Sequence, residues 1–305
     1  VPPVREPLMA RRADHYAYEQ ALNDLLAIYR SAQREISAQV IAAVKSGDLT
    51  IAGQRRAQLA RLLALLDQIG AQTDPMASRL VAQAHSDGAA LAATQIAGAA
   101  VTAPEIPGSF AGIQREAIST LQDAILGRLS DSRRTVGRQA QDIYRKAGLQ
   151  AATRAHLGVD GSTRTAKRQL MLSLMKDKQV ARLMADSNGA VGFVDKAGKR
   201  WGLDTYAEMV VRTTTREAAV QGSIDRMVSH GVNLARVSVH SDSCDICKPY
   251  EGRLVSLDGQ VTTYQGESAM DASTIPPYHP NCAHSLSPVV AAVDATRARL
   301  EAARA

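Results

Sequence analysis

Aromatic residues make up only 4% of this 305-residue chain, with one tryptophan and two phenylalanines. Sheets draw on aromatic and β-branched side chains, so a 45% hydrophobic content carried mainly by Ala, Leu and Val argues for long helices and against an all-β body. Three cysteines in a chain of this length are too few for a disulfide framework, and stability must come from one sizeable core or two modest ones. Long hydrophobic runs are missing as well. The longest uncharged stretch, GAALAATQIAGAAVTAP at 88–104, is diluted by Ala, Gly, Thr and Gln and reads as a packed helix, so no membrane span is expected. The start, VPPVREPLMARR, has no apolar leader and reads as trimmed. No P-loop, GxSxG, HExxH or dinucleotide fingerprint occurs, and no enzyme activity is expected.

Blocks of like charge are also lacking. The formal net charge of +6 leans towards polyanions such as nucleic acid, but Lys and Arg alternate with Asp and Glu as on ordinary solvated helix faces. Ser132-Arg133-Arg134 with Arg138, Arg164 with Lys167 and Arg168, and the Arg212/Arg216 pair are the basic groups nearest to a DNA contact; solvated faces account for them as well.

Leu22, Leu25, Leu26, Tyr29, Ile36, Val40 and Ile41 recur at helical spacing, which predicts an amphipathic helix from Tyr16 to Val44. Ser46-Gly47-Asp48 breaks it. A second helix is expected from Ile51 to Ile69, on Leu59, Leu62, Leu63, Leu65, Leu66 and Ile69, with Gly70 as its stop; a third follows from Pro75 to Ala100. Residues 109–157 carry another helical pattern, with bends expected near Ser130–Ser132 or Gly137. The fold expected is mainly α, a long helical bundle or array followed by a small α+β C-terminal module. Its boundaries are a long-helix domain at 1–158, a helical connector at 159–189, the module at 190–290 and a C-terminal helix at 291–305.

Within the module, 192–201 reads as a hairpin with Phe193 and Trp201 at its ends, and Thr205-x-x-Glu208 as a capping box opening a helix that Gly231 closes. Ala235 to His240 alternates apolar and polar and predicts a strand. Asp258-Gly259 predicts a two-residue turn pairing Arg253–Leu257 with Gln260–Tyr264.

All three cysteines fall here. Cys244 and Cys247 form a Cys-x-x-Cys knuckle, and HPNCAH sets His279, Cys282 and His284 within six residues. Two tight turns facing each other across a hairpin offer the four N or S donors, at about 2.0–2.3 Å, that a tetrahedral zinc ion needs. Cys244, Cys247 and Cys282 are expected ligands of a closed, structural, zinc-ribbon-like site. His279 is favoured as the fourth because its two-residue gap to Cys282 matches a ligand knuckle; His284 is the alternative, and His240 a weaker one. A Cys244–Cys247 disulfide or redox pair is the competing reading. It wants a helix starting at the pair, whereas KPYEG reads as a turn. Glu251 is near in sequence, but nothing in the sequence places it at the metal.

The ordered series WGLDTYAEMVVRTTTREAAVQG (201–222), HSDSCDICKPYEGRLVSLDG (240–259) and PPYHPNCAHSLSPVV (276–290) resembles the minor capsid proteins of tailed bacteriophages, of the phage minor capsid protein 2 type related to Mu F-like head morphogenesis proteins. The resemblance covers about residues 190–290. It departs from the usual HPNCR followed by His or Cys in that Ala283 replaces the basic residue, while His284 keeps the donor position. It implies a virion component inside the head near the portal vertex, assembled in the host cytoplasm and present in several copies, acting in head assembly or genome packaging and delivery. The implied partners are portal protein, major capsid protein and packaged double-stranded DNA. Some relatives carry a toxin or transferase domain beyond the module; only a short helix is expected after Pro288. A zinc-containing nucleic-acid binder or nuclease is the alternative from another class, and it needs a further base and an open metal position.

Overall fold

A computed structural model describes residues 16–46, 49, 51–98, 109–156, 168, 172, 176, 192–194 and 198–290. The connector expected at 159–189 and the helix expected at 291–305 lie outside the described residues, apart from single positions at 168, 172 and 176. Four long helices are present among them: α1 (Tyr16–Ser46), α2 (Ala52–Gly98), α3 (Ser109–His156) and α4 (Leu203–Ser229). The fold is mainly α with a small strand-bearing C-terminal module. The described residues divide between two compact units. One comprises Asn23–Met76 and Leu126–Glu208; the other comprises residues up to Leu22, Ala77–Ile125 and those from Met209 onward.

The first unit buries the stripes read from the sequence. Leu25, Leu26, Tyr29, Ile36 and Val40 of α1, Leu62, Leu66 and Ile69 of α2, and Leu129, Val136, Ile143 and Tyr144 of α3 form its interior, each Leu or Ile worth about 1.5–3 kcal/mol on burial. The stripe on α2 is narrower than its leucine content suggests, since Leu63 stays 40% exposed.

The break expected at Gly70 and Pro75 is absent, since α2 runs through both, while α3 is one continuous helix across Ser130–Ser132 and Gly137. The reason for the first is tertiary. The Arg133 guanidinium donates to both Asp74 carboxylate oxygens at 2.7 and 2.8 Å and to the Tyr29 hydroxyl at 3.0 Å. Gly70 leaves room for it, because a methyl group there would stand 3.0 Å from Arg133 Nη2. Thr73 donates to the Ile69 carbonyl at 2.7 Å and accepts from Tyr29. These contacts hold the turn that Pro75, lacking an N–H, weakens. Arg133 is therefore a buried structural cation and not a DNA contact. Arg134 pairs locally with Asp131 at 3.7 Å and Arg145 with Asp142 at 3.2 Å.

Strands β1 (Gly192–Val194) and β2 (Arg200–Gly202) pair antiparallel with Phe193 opposite Trp201, as the sequence predicts. The capping box does not form as expected. Helix α4 begins at Leu203, whose N–H donates to Gln33 Oε1 at 2.7 Å, and Thr205 turns its hydroxyl back to Gly202. Glu208 instead pairs with Arg30 at 3.1 Å.

In the second unit α2 and α4 meet backbone to backbone. A methyl group at residue 88 would lie 1.9 Å from the Ala219 carbonyl oxygen, and one at residue 222 would lie 1.9 Å from that of His85. Glycine at both positions is what permits the approach. Ser223 Oγ donates to the Gly88 carbonyl at 2.9 Å, and buried His85 and Asp225 join at 2.8 Å, with Gln221 donating to the second Asp225 oxygen at 2.7 Å.

Past α4, Gly231 at φ 71° ends the helix as expected, and the chain enters β3 (Leu234–Val237). This strand lies between β4 (Leu254–Ser256) and β8 (Leu286–Pro288), antiparallel to both, and β4 pairs parallel with β7 (Met270–Asp271). Ala92 and Ile96 of α2, Val220 and Met227 of α4, and Ala235, Val237, Val255, Met270 and Leu286 of the sheet share one apolar core. The hairpin expected at Asp258-Gly259 turns but does not pair its arms. Both edges of β4 are taken by β3 and β7, and Thr263–Tyr264 (β5) pairs with Glu267–Ser268 (β6) instead. Asp258 accepts from the Gln260 N–H at 2.9 Å and from Asn233 at 2.6 Å.

The crossing predicts that Gly222→Ala lowers stability by at least about 1–3 kcal/mol, read from thermal or urea unfolding by circular dichroism, because neither carbonyl backbone can retreat. Tyr144 makes the opposite case. Burial pushes its phenol pKa up to about 12, and its hydroxyl finds no hydrogen-bond partner among the described residues. Tyr144→Phe is expected to leave stability unchanged or raise it by up to about 1 kcal/mol in the same measurement.

Candidate metal centre

The first knuckle follows β3. The N–H groups of Cys247 and Lys248 both donate to the Cys244 carbonyl, at 3.0 and 3.1 Å, which folds Cys244–Cys247 into a tight turn. Pro249 then fixes a short 3-10 turn over Lys248–Tyr250, consistent with KPYEG reading as a turn. The second knuckle precedes β8. Cys282 N–H donates to the His279 carbonyl at 3.1 Å, Asn281 takes the left-handed conformation at φ 63°, and the Asn281 N–H donates to Thr213 of α4 at 3.3 Å. Tyr250 and Tyr278, one beside each knuckle, stack with ring centres 4.1 Å apart.

Together these turns gather all five side chains singled out in the sequence. Cys244 Sγ lies 3.2 Å from His279 Nε2, Cys247 Sγ lies 3.7 Å from Cys282 Sγ, and Cys282 Sγ lies 3.5 Å from His284 Nδ1. Tetrahedral zinc with bonds of about 2.3 Å to sulfur and 2.0 Å to nitrogen has sulfur–sulfur edges of about 3.8 Å and sulfur–nitrogen edges of about 3.5 Å. The spacings fall near those values. Two groups able to hold a metal ion share Cys247: Cys244, Cys247 and His279 towards the surface, and Cys247, Cys282 and His284 in the interior. The cysteines are free thiols, not a disulfide.

The two thiols of the first knuckle sit in different environments. The Cys247 N–H aimed at Cys244 lowers the pKa of that exposed thiol, whereas burial pushes the Cys247 thiol up to about 12, with Cys244 and Cys282 adding to the rise. A cation among three sulfurs removes the cost of ionising them together.

A family profile described as phage minor capsid protein 2 matches residues 14–304, nearly the whole chain. The chain belongs to the phage minor capsid protein 2 family. The match reaches well beyond the motif-bearing segments at 190–290 and takes in the long helices of this minor capsid protein. No curated protein and no solved structure matches it. Among the described residues no helix is long and apolar enough to cross a membrane.

One residue beside the donor cluster of this minor capsid protein could not be read from the sequence as part of it. Glu251 Oε1 accepts from His284 Nε2 at 2.9 Å and from the His240 N–H at 2.7 Å. Burial raises the Glu251 pKa, but these hydrogen bonds outweigh it and hold the carboxyl below its ordinary value. Glu251 stands four residues after Cys247, yet its partner lies 33 positions further on, so only the fold joins them. His240 stays off the cluster: its Nε2 meets Ser238 Oγ at 2.9 Å and its ring edge packs on His284 at 4.4 Å between centres.

Proposed function

We propose that this minor capsid protein is a non-enzymatic structural component of the phage head, associated with the portal vertex on the inside of the capsid. Its C-terminal module is clamped by one zinc ion bound to Cys244, Cys247, Cys282 and one imidazole, from His279 or His284. The observation that carries the metal reading is the convergence of three thiols and two imidazoles from two separate turns, at distances matching tetrahedral edges. Thiolate-rich donor sets select zinc over magnesium or calcium. Five protein donors for four positions close the coordination sphere, which suits a structural ion and leaves no position for an activated water.

The reading of location and partners rests on family membership, with portal protein the first partner and major capsid protein and packaged double-stranded DNA the others. Locally paired arginines such as Arg134 and Arg145 suit a protein-bound role better than a DNA-wrapping one. The long helices supply the contact surface and the C-terminal module the clamped end.

Elemental analysis of the purified chain is expected to give about one zinc per molecule, with Cys282→Ser losing the metal and loosening the module to proteolysis; a zinc-free chain that resists protease equally well contradicts the clamp. Isolation of proheads is expected to yield this protein together with portal protein, and its recovery only in portal-free fractions contradicts the placement.

A further inference from the structure

The structure points to His284, and not His279, as the nitrogen ligand, and to Glu251 as the positioning residue that aims it; we propose this assignment on the footing of the zinc clamp above. His284 is 4% exposed, as is Cys282, and Cys247 is 1% exposed, so these three donor groups face one another with almost no access to water. A carboxylate can only accept, so the 2.9 Å contact with Glu251 puts the proton of His284 on Nε2. That leaves the Nδ1 lone pair directed at the sulfurs, 3.5 Å from Cys282.

Glu251 is itself fixed. The oxygen facing His284 also accepts the His240 N–H, and the residue follows directly on the 3-10 turn that begins after Cys247. The same short segment therefore carries one buried thiolate and the orienting group of the imidazole that joins it. This is the carboxylate–histidine–metal arrangement that sets ring angle and basicity in metal sites.

His279 has weaker support. Its Nδ1 is tied only to the carbonyl of its own neighbour Pro280, at 2.7 Å, and its Nε2 meets Cys244, the exposed thiol. No contact from another strand or helix is seen to orient its ring among the described residues. With Cys247, Cys282 and His284 preset, the exposed Cys244, which here groups with Cys247 and His279, has to turn inward to supply the remaining thiolate, and His279 stays outside the first coordination sphere.

The test uses the full chain loaded with cobalt(II) or zinc(II). Affinity is read by competition with a chromophoric chelator and ligand type by the visible and near-ultraviolet bands of the cobalt form. His279→Ala is expected to stay within about threefold of wild type with the same bands. Glu251→Gln is expected to bind about 10–100-fold more weakly while keeping the bands of a three-sulfur, one-nitrogen site. His284→Cys, which retains a donor and so tolerates folding, is expected to hold cobalt with the stronger sulfur-to-metal charge transfer of a four-sulfur site. The assignment is overturned if His284→Cys leaves the spectrum unchanged, or if His279→Ala loses the metal. The positioning role is overturned if Glu251→Gln binds as tightly as wild type. A wild-type chain that takes up neither ion is a different result, which removes the clamp itself and this assignment with it.

Discussion

Two glycines facing two carbonyl groups set the frame of the module-bearing unit. Where α2 and α4 cross, no side chain stands between the backbones at Gly88 and Gly222, and the helices lie as close as main chains allow. Close approach brings Ser223 within reach of the Gly88 carbonyl and lets His85 and Asp225 satisfy one another out of water. Ala92 and Ile96 of α2 and Val220 and Met227 of α4 share one core with the sheet. A wider crossing would open a gap under Val237 and Val255. Interiors packed to crystal-like density do not tolerate such a gap.

From that core the path to the metal centre is short. Helix α4 ends at Ser229, Gly231 turns the chain, β3 begins at Leu234, and the first knuckle follows its end. The second knuckle is tied to α4 through Asn281 and Thr213. Both halves of the donor set thus refer to one helix, either through the chain or through a hydrogen bond. The Tyr250–Tyr278 stack joins them a second time.

Much of this could be read from the chain alone, for identifiable reasons. Periodic leucines announce helices because the apolar face must be buried wherever the helix goes, and Cys-x-x-Cys with HPNC announces a donor set because knuckle spacing is a local property. Gly70 and Pro75 misled because local stop signals are worth only about 1–3 kcal/mol and tertiary contacts override them, here those of Arg133 with Asp74 and Tyr29. Asp258-Gly259 turned as its residues require, but pairing is decided by which edge is vacant, and both edges of β4 were already occupied. Glu251 could be seen to lie near in sequence but not to join the site, because a carboxylate becomes an orienting group only through the histidine it reaches, and that distance is folded, not sequential. The extent of family membership was likewise hidden in the helical half, where burial constrains residue class more than residue identity.

The knuckles have one more effect, on the chain between them. Cys247 and Cys282 stand 35 residues apart and enclose β4 to β7, of which three strands are only two residues long. Such strands gain little from their own ladders. An ion held at both ends, as proposed, would turn this stretch into a closed ring, and in a chain-entropy treatment a ring of that size removes about 4 kcal/mol worth of freedom from the unfolded state. An ion in the proposed clamp would thus act chiefly on a peptide that does not touch it, holding in place a surface built mostly of loops.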